Sequence, residues 1–144
     1  MTQEDKELLL KDLCTRLPYG VKVLCLNDSG RKWYNLEMVD IVDNEVYLTT
    51  TDKSYTNRYA EIETVKPYLF PISNMTEEQE NEWDNLFIDP LCERVNIRHT
   101  REEDLLLRAK SGFTSTDYLD KNKFDYRGLI PKGLANDATG LNIY

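Results

Sequence analysis

The sequence contains one histidine, three cysteines and no apolar run approaching the roughly 20 residues that a membrane-spanning helix requires. Its first residues, Met1 to Asp5, are acidic. A secretory signal peptide instead begins with basic residues and continues into an apolar segment with a cleavage site. These absences argue against a secreted or membrane protein, so we expect a cytoplasmic one.

Few residues carry the chemistry that enzymes and metal sites use. The cysteines, which include Cys92, are odd in number and widely spaced, so neither a disulfide framework nor a zinc site is expected. His99 has Arg98 and Arg101 beside it, whose charges lower its proton affinity, and no nucleophile pattern accompanies it. Glycine-rich phosphate loops and the His-Glu-x-x-His and Gly-x-Ser-x-Gly motifs are missing too. The sequence therefore predicts no catalytic residue, no metal and no cofactor.

Closely spaced carboxylates are the remaining candidates for acid–base or cation chemistry. Glu61 and Glu63 share one face of a predicted strand, where they would hold a divalent cation or form an acid–base pair. The same alternation is typical of the solvent face of a strand, which is the interpretation we favour. Two further pairs are Asp40 with Asp43 and Asp117 with Asp120.

The sequence is rich in charged residues. It contains 26 acidic and 18 basic residues, a net charge of −8, and 40% of its 144 residues are hydrophobic. A chain of this size and composition can bury the core of one domain without disulfides. The acidic balance argues against a phosphate-binding surface, although 18 basic residues would still allow one if they clustered.

Residues 1–75 predict a helix followed by a small sheet. Thr2 caps a helix over residues 3–16 that carries one apolar stripe and that Leu17–Gly20 ends. Because Pro67 and Pro71 have no amide hydrogen, residues 66–71 are expected to leave the sheet in an extended conformation. Alternating segments separated by turn residues predict a small antiparallel curled sheet or SH3-like barrel, with strands near 21–26, 32–42, 45–51 and 59–65.

Residues 76–144 predict a helical extension that packs on the sheet within one globular unit. Thr76 and Gln79 form a capping box for an acidic helix, and Thr100 and Glu103 form a second one. Thr116 is placed to cap a third helix. The acidic helix is expected to bury a stripe of Trp83, Leu86 and Phe87 and to end at Asp89-Pro90. Gly112 is placed to end the second helix. Residues 124–135 are expected to pack back on the domain. The fold class is α+β.

Five stretches stand out, covering about a quarter of the chain: Lys11–Cys14, Arg16–Val23, Val65–Pro71, Ser73–Gln79 and Phe124–Ala135. Together they resemble a family of small uncharacterised proteins encoded by phages and prophages of gut bacteria. The resemblance implies a mobile-element origin and a location in the bacterial cytoplasm. It supplies no catalytic residue, and the chain departs from the family pattern around residues 91–115.

Two stretches are candidate interaction sites. The acidic helix carries Glu77, Glu78, Glu80, Glu82, Asp84 and Asp89 without a basic residue between them. Such a surface either imitates the phosphates of nucleic acid and occupies a host DNA-binding protein, or is the solvated face of an amphipathic helix. The tail interleaves aromatic and basic residues as single-strand binders do, but Asp117, Asp120 and Asp125 nearly cancel its charge. We predict that Tyr126 and Arg127 anchor this tail, with partner contact as the alternative.

The leading hypothesis is a non-enzymatic accessory protein that binds another protein, in one version modulating a host protein. Its predicted partner contacts are Glu77, Glu78, Glu80, Glu82, Asp84, Tyr126 and Arg127. The alternative is a nucleic-acid-binding module built on the small barrel, which rests on fold analogy.

Overall fold

The computed structural model describes residues 1–28, 33–53, 56–86, 100–110 and 116–144, which form an α+β fold with an N-terminal helix and a curled, open sheet. The predicted fold class is confirmed. Several sequence predictions lie outside the described residues, namely those at Phe87, Asp89-Pro90, Cys92, residues 91–98, His99 and Gly112.

Helix α1 spans Gln3–Arg16, as predicted. The hydroxyl of Thr2 accepts a hydrogen bond from the Asp5 amide at 3.1 Å, which satisfies one of the four amides that a helix leaves open at its start. Leu9 and Leu13 of the apolar stripe are fully buried. The helix continues into a short 3-10 turn that ends at Gly20, whose positive φ of 67° suits glycine.

The sheet is mixed and curled. Its strands are β1 (Lys22–Cys25), β2 (Trp33–Asp40), β3 (Glu45–Thr49), β4 (Arg58–Glu61), β5 (Val65–Pro71), β6 (Phe124–Asp125) and β7 (Asn136–Asp137). The order is β4-β3-β2-β1-β5-β6, and β7 also pairs with β5. The pairs among β1 to β5 are antiparallel, whereas β6 and β7 run parallel to β5. Among the described residues β4, β6 and β7 each pair with a single strand, so the sheet stays open and does not close into a barrel.

The prediction that the segment with two prolines leaves the sheet was wrong, because that segment forms β5, which lies inside the sheet. The Leu26 amide donates to the Thr64 carbonyl at 2.7 Å, and the alternation of an antiparallel ladder then makes Val23 and Pro67 a pair without hydrogen bonds. The nitrogen of Pro67 therefore faces β7, whose pairing with β5 starts at Tyr68. Proline costs no ladder hydrogen bond at this position, so it is compatible with a central strand.

Three short helices follow the sheet: α2 (Glu77–Asp84), α3 (Arg101–Lys110) and α4 (Asp117–Lys121). Both predicted capping boxes are present, with reciprocal bonds of 2.9 and 3.2 Å in each. Thr116, in contrast, makes no side-chain cap bond to α4. Trp83 is fully buried, but Leu86 is 46% exposed, so its place in the buried stripe was wrong because α2 ends at Asp84 and the chain turns away.

The buried apolar residues form two clusters. The larger lies between α1 and the sheet and includes Leu9, Leu13, Val23, Leu36, Val46, Leu48, Ile62 and Leu69. The tail residues Leu129, Leu134 and Ala135 belong to it, which confirms that this segment packs back on the domain. The smaller lies around α2, α3 and α4 and includes Ile72, Met75, Trp83, Leu105, Leu119, Phe124 and Tyr126. The carboxylate of Asp125 accepts from the amides of Leu129 and Ile130 at 2.8 Å each, which fixes the turn that directs the tail.

Candidate functional site

Tyr126 and Arg127 lie in a buried ionic cluster that joins the tail to α1. Arg127 donates to Asp12 at 2.8 Å and to Asp120 at 3.2 Å. Arg16 donates through Nε to Asp12 at 2.8 Å, and its Nη2 lies 3.7 Å from Asp120. The Tyr126 hydroxyl donates to Asp120, and the tyrosine ring lies 4.3 Å from the Arg127 guanidinium. Two positive and two negative side chains therefore neutralise one another inside the protein.

This cluster confirms the predicted anchoring of the tail. Asp12 and Arg16 are fully buried, and the side chain of Arg127 is only 12% exposed. Burial acts to lower the pKa of Arg16, but the charges of Asp12 and Asp120 outweigh it and raise the pKa. Burial also raises the pKa of Tyr126. Little surface of Tyr126 and Arg127 is left for a partner, so the prediction of partner contact falls mainly on the acidic helix.

Sequence reasoning missed the helical half of this cluster. Asp12 and Arg16 are four residues apart on α1, which is the spacing of an ion pair along one helix face. They also lie beside the apolar positions Leu9 and Leu13, which would bury any side chain on that edge of the stripe. Those two signals together could have predicted a buried pair, but its partners 120 and 127 come from the far end of the chain.

The acidic helix presents its carboxylates outward. Glu77, Glu78 and Glu82 are exposed, whereas Glu80 and Asp84 are half-buried. Glu82 accepts a hydrogen bond from the Tyr118 hydroxyl at 2.8 Å, which ties α2 to α4. Burial and this bond together raise the pKa of Tyr118 to about 12. A broad, open depression runs along the outside of α2, and its lining residues are Thr76, Glu77, Glu78, Asn81, Glu82 and Asn85.

The predicted carboxylate pairs serve the fold. Glu61 is the last residue of β4, whereas Glu63 lies in a 3-10 turn over Ile62–Thr64, so the two do not share a strand face. Glu63 instead pairs with Lys6 at 3.0 Å. Asp40 accepts from two amides of the β2–β3 turn, at 2.9 and 3.1 Å. Asp120 belongs to the ionic cluster. Within the described ranges, no three His, Cys, Asp or Glu side chains are grouped to hold a metal ion.

The outer face of the sheet carries a row of exposed apolar side chains that the sequence did not single out. The register aligns Met38 of β2 with Tyr47 of β3, and Tyr47 with Tyr59 of β4. Met38 is 40% exposed and Tyr59 is 57% exposed, and the two tyrosine rings lie 4.9 Å apart. We call these three residues the outer sheet patch. The next row on the same face is acidic and consists of Asp40, Glu45 and Glu61.

A cleft of about 410 Å³ lies where β5 ends, α2 begins and the C-terminal segment crosses them. Two aromatic rings, Phe70 and Tyr144, line it together with the lysines Lys121 and Lys123. These residues are up to 74 positions apart in the chain and form no local motif.

No helix in the described part of the chain is long and apolar enough to cross a membrane. Comparison with protein-family models, curated proteins and solved structures found no match to this chain.

Proposed function

We propose that this chain is a non-enzymatic accessory protein of a phage or prophage, and that it acts in the bacterial cytoplasm by binding another protein. The observation that carries the proposal is the outer sheet patch with its acidic neighbour row. Apolar side chains aligned across three strands and left exposed are typical of surfaces that another protein covers.

The chemistry of the two rows defines the partner. The patch of Met38, Tyr47 and Tyr59 offers aromatic and thioether contact area, which is enriched in protein interfaces. The row of Asp40, Glu45 and Glu61 favours positive charge on the partner. A partner with alternating apolar and basic side chains matches both rows.

The edge of the sheet supports an extended partner. Strand β4 pairs with β3 on one side, and no described strand pairs with its other side. An unpaired edge offers backbone amides and carbonyls to an incoming strand. A segment added beside β4 would continue the row from Tyr59. The acidic helix adds exposed carboxylates to the same protein, which raises the association rate with a basic partner at low salt.

The experiment compares variants in an affinity pull-down from bacterial lysate after nuclease treatment, followed by direct binding measurement with the purified partner. Tyr59→Ser should weaken binding, and the charge reversal of Glu45 and Glu61 to lysine should weaken it further. Leu107→Ser is the matched control, since this leucine is also exposed, at 51%, but lies on α3. Reversing Glu77 and Glu78 to lysine measures how much the acidic helix contributes to the affinity for the partner.

Two outcomes would overturn the proposal. In one, the partner binds Tyr59→Ser as tightly as the wild type, or loses as much affinity with Leu107→Ser. In the other, captured proteins disappear after nuclease treatment, which would favour the nucleic-acid-binding alternative. The aromatic and basic pattern of the tail offers this alternative little support, because Phe124 and Tyr126 are buried inside the protein.

A further inference from the structure

The cleft beside β5 is framed by the end of β5, the first turn of α2 and the C-terminal segment. Its volume of about 410 Å³ falls within the range of about 300–1,000 Å³ that small-molecule sites occupy. The Asn74 amide donates to the Thr139 hydroxyl at 2.7 Å across its lining, which links the end of β5 to the C-terminal segment. The outer sheet patch lies on β2 to β4, so the cleft and the patch are separate sites.

One side of the cleft is a fixed aromatic platform. The Tyr144 hydroxyl accepts from the Lys22 amide at 3.0 Å and donates to the Tyr68 carbonyl at 2.7 Å, which holds the ring in one orientation. Phe70 supports it with a ring centroid 6.0 Å away, tilted by 53°. The Tyr144 side of this pair is 45% exposed, so a planar ring can stack on it.

The other side of the cleft is cationic. The ammonium of Lys123 lies 5.2 Å from the centre of the Tyr144 ring and donates to the Lys121 carbonyl at 2.7 Å. An ammonium has three donors, so two stay available to a ligand. Burial lowers the pKa of Lys123, and the nearby positive charges of Arg16, Lys121 and Lys22 lower it further. Several positive groups therefore lie near this end of the cleft.

We propose that the cleft binds a nucleoside monophosphate, with its base stacked on Tyr144 and its phosphate between Lys121 and Lys123. A planar ring beside a cationic end selects a ligand that is both aromatic and anionic. Stacking tolerates any base, whereas the lysines require the phosphate. The same chemistry is offered by a free nucleotide and by the terminal phosphate of a single strand.

The test is calorimetric titration of the full chain with AMP, adenosine, inorganic phosphate and a short 5′-phosphorylated oligothymidine. AMP should bind more tightly than either of its parts. Lys123→Gln should weaken AMP binding about tenfold, as expected for the loss of a charge-assisted contact. Glutamine meets the positive φ of 60° at this position as lysine does, so the backbone is equally strained in both.

Controls separate the cleft from general charge effects. Lys53→Gln is the matched variant, because Lys53 is exposed in the loop between β3 and β4 at the opposite edge of the sheet. It should leave the affinity for AMP unchanged. Tyr144→Leu should weaken AMP and leave inorganic phosphate unaffected. Thermal unfolding of each variant shows that it is folded at the temperature of the titration.

The outcomes decide whether the cleft binds the ligand and whether that ligand is a free nucleotide or a strand end. Tighter binding of the oligonucleotide than of AMP, still sensitive to Lys123→Gln, would support the site and assign it to a strand end, whereas the reverse order would assign it to free nucleotides. Equal binding of adenosine and AMP, or equal loss with Lys53→Gln, would overturn the proposal. Absence of heat with every ligand at millimolar concentration would overturn it as well, and none of these results bears on the outer sheet patch.

Discussion

Replacing Asp12 by asparagine removes the central charge of the buried ionic cluster while keeping the shape of the side chain. In the wild type, the two carboxylate oxygens of Asp12 accept from Arg16 and Arg127 at 2.8 Å each. In Asp12→Asn, two guanidinium groups face a single carboxylate, that of Asp120. The new amide also presents a donor to one of these guanidinium groups, so at least one of the two bonds is lost.

The size of the effect follows from burial. Asp12 and Arg16 are both 0% exposed, so water cannot compensate the uncovered charge. Breaking a buried ion pair by removing one partner costs about 3–5 kcal/mol, out of a total stability of about 5–15 kcal/mol for a typical domain. At about 3 °C per kcal/mol for a chain of this size, the midpoint of thermal unfolding should fall by about 10–15 °C.

Urea and thermal unfolding followed by circular dichroism measure this loss. Asp5→Asn is the matched control, since Asp5 pairs with Lys132 at 3.1 Å where that lysine is 52% exposed, and it should change the midpoint little. The double variant with Arg127→Gln should lose less than the sum of the two single variants, because it removes one charge of each sign. If Asp12→Asn unfolds at the same temperature as Asp5→Asn, the cluster does not carry the stability assigned to it.

Three further predictions concern other parts of the molecule. Trp83→Ala should cost about 3–5 kcal/mol in urea unfolding because the ring is 0% exposed, and a loss no larger than that of Leu86→Ala would contradict this. Thr76→Ala should cost about 1 kcal/mol by opening the capping box of α2, whereas Thr76→Ser should restore most of it. Burial raises the pKa of Tyr144 to about 12, above the ordinary value of 10, so its contribution to stability is complete below pH 10 and is lost as the pH rises through about 12. The stability difference between the wild type and Tyr144→Phe should therefore shrink between pH 10 and 12, and a constant difference in urea unfolding would contradict the burial of that hydroxyl.

Local signals predicted the local structure well. The caps at Thr2, Thr76 and Thr100 are set by residues three positions apart, and all three are present in the structure. The spacing of the leucines likewise predicted the buried face of α1, because the residues that define this face lie within two helical turns of one another.

Features that depend on distant neighbours were harder to predict. The position of Pro67 inside the sheet depends on where β7 begins, and β7 comes from the end of the chain. The outer sheet patch requires the register of three strands, including a bulge between Leu36 and Met38 that shifts it. No spacing within a single segment contains that information.

The ionic cluster joins Asp12 to Arg127 across 115 residues of sequence. During synthesis it therefore cannot form until residue 127 has been translated. At about 5–20 residues per second, roughly 6–23 s pass between translation of the two residues. During that interval Asp12 and Arg16 of α1 have each other as ionic partners but lack Asp120 and Arg127. A chain terminated before residue 127 would never form the Arg127 contacts to Asp12 and Asp120, so it would remain less stable and more open to the proteases that clear incomplete proteins.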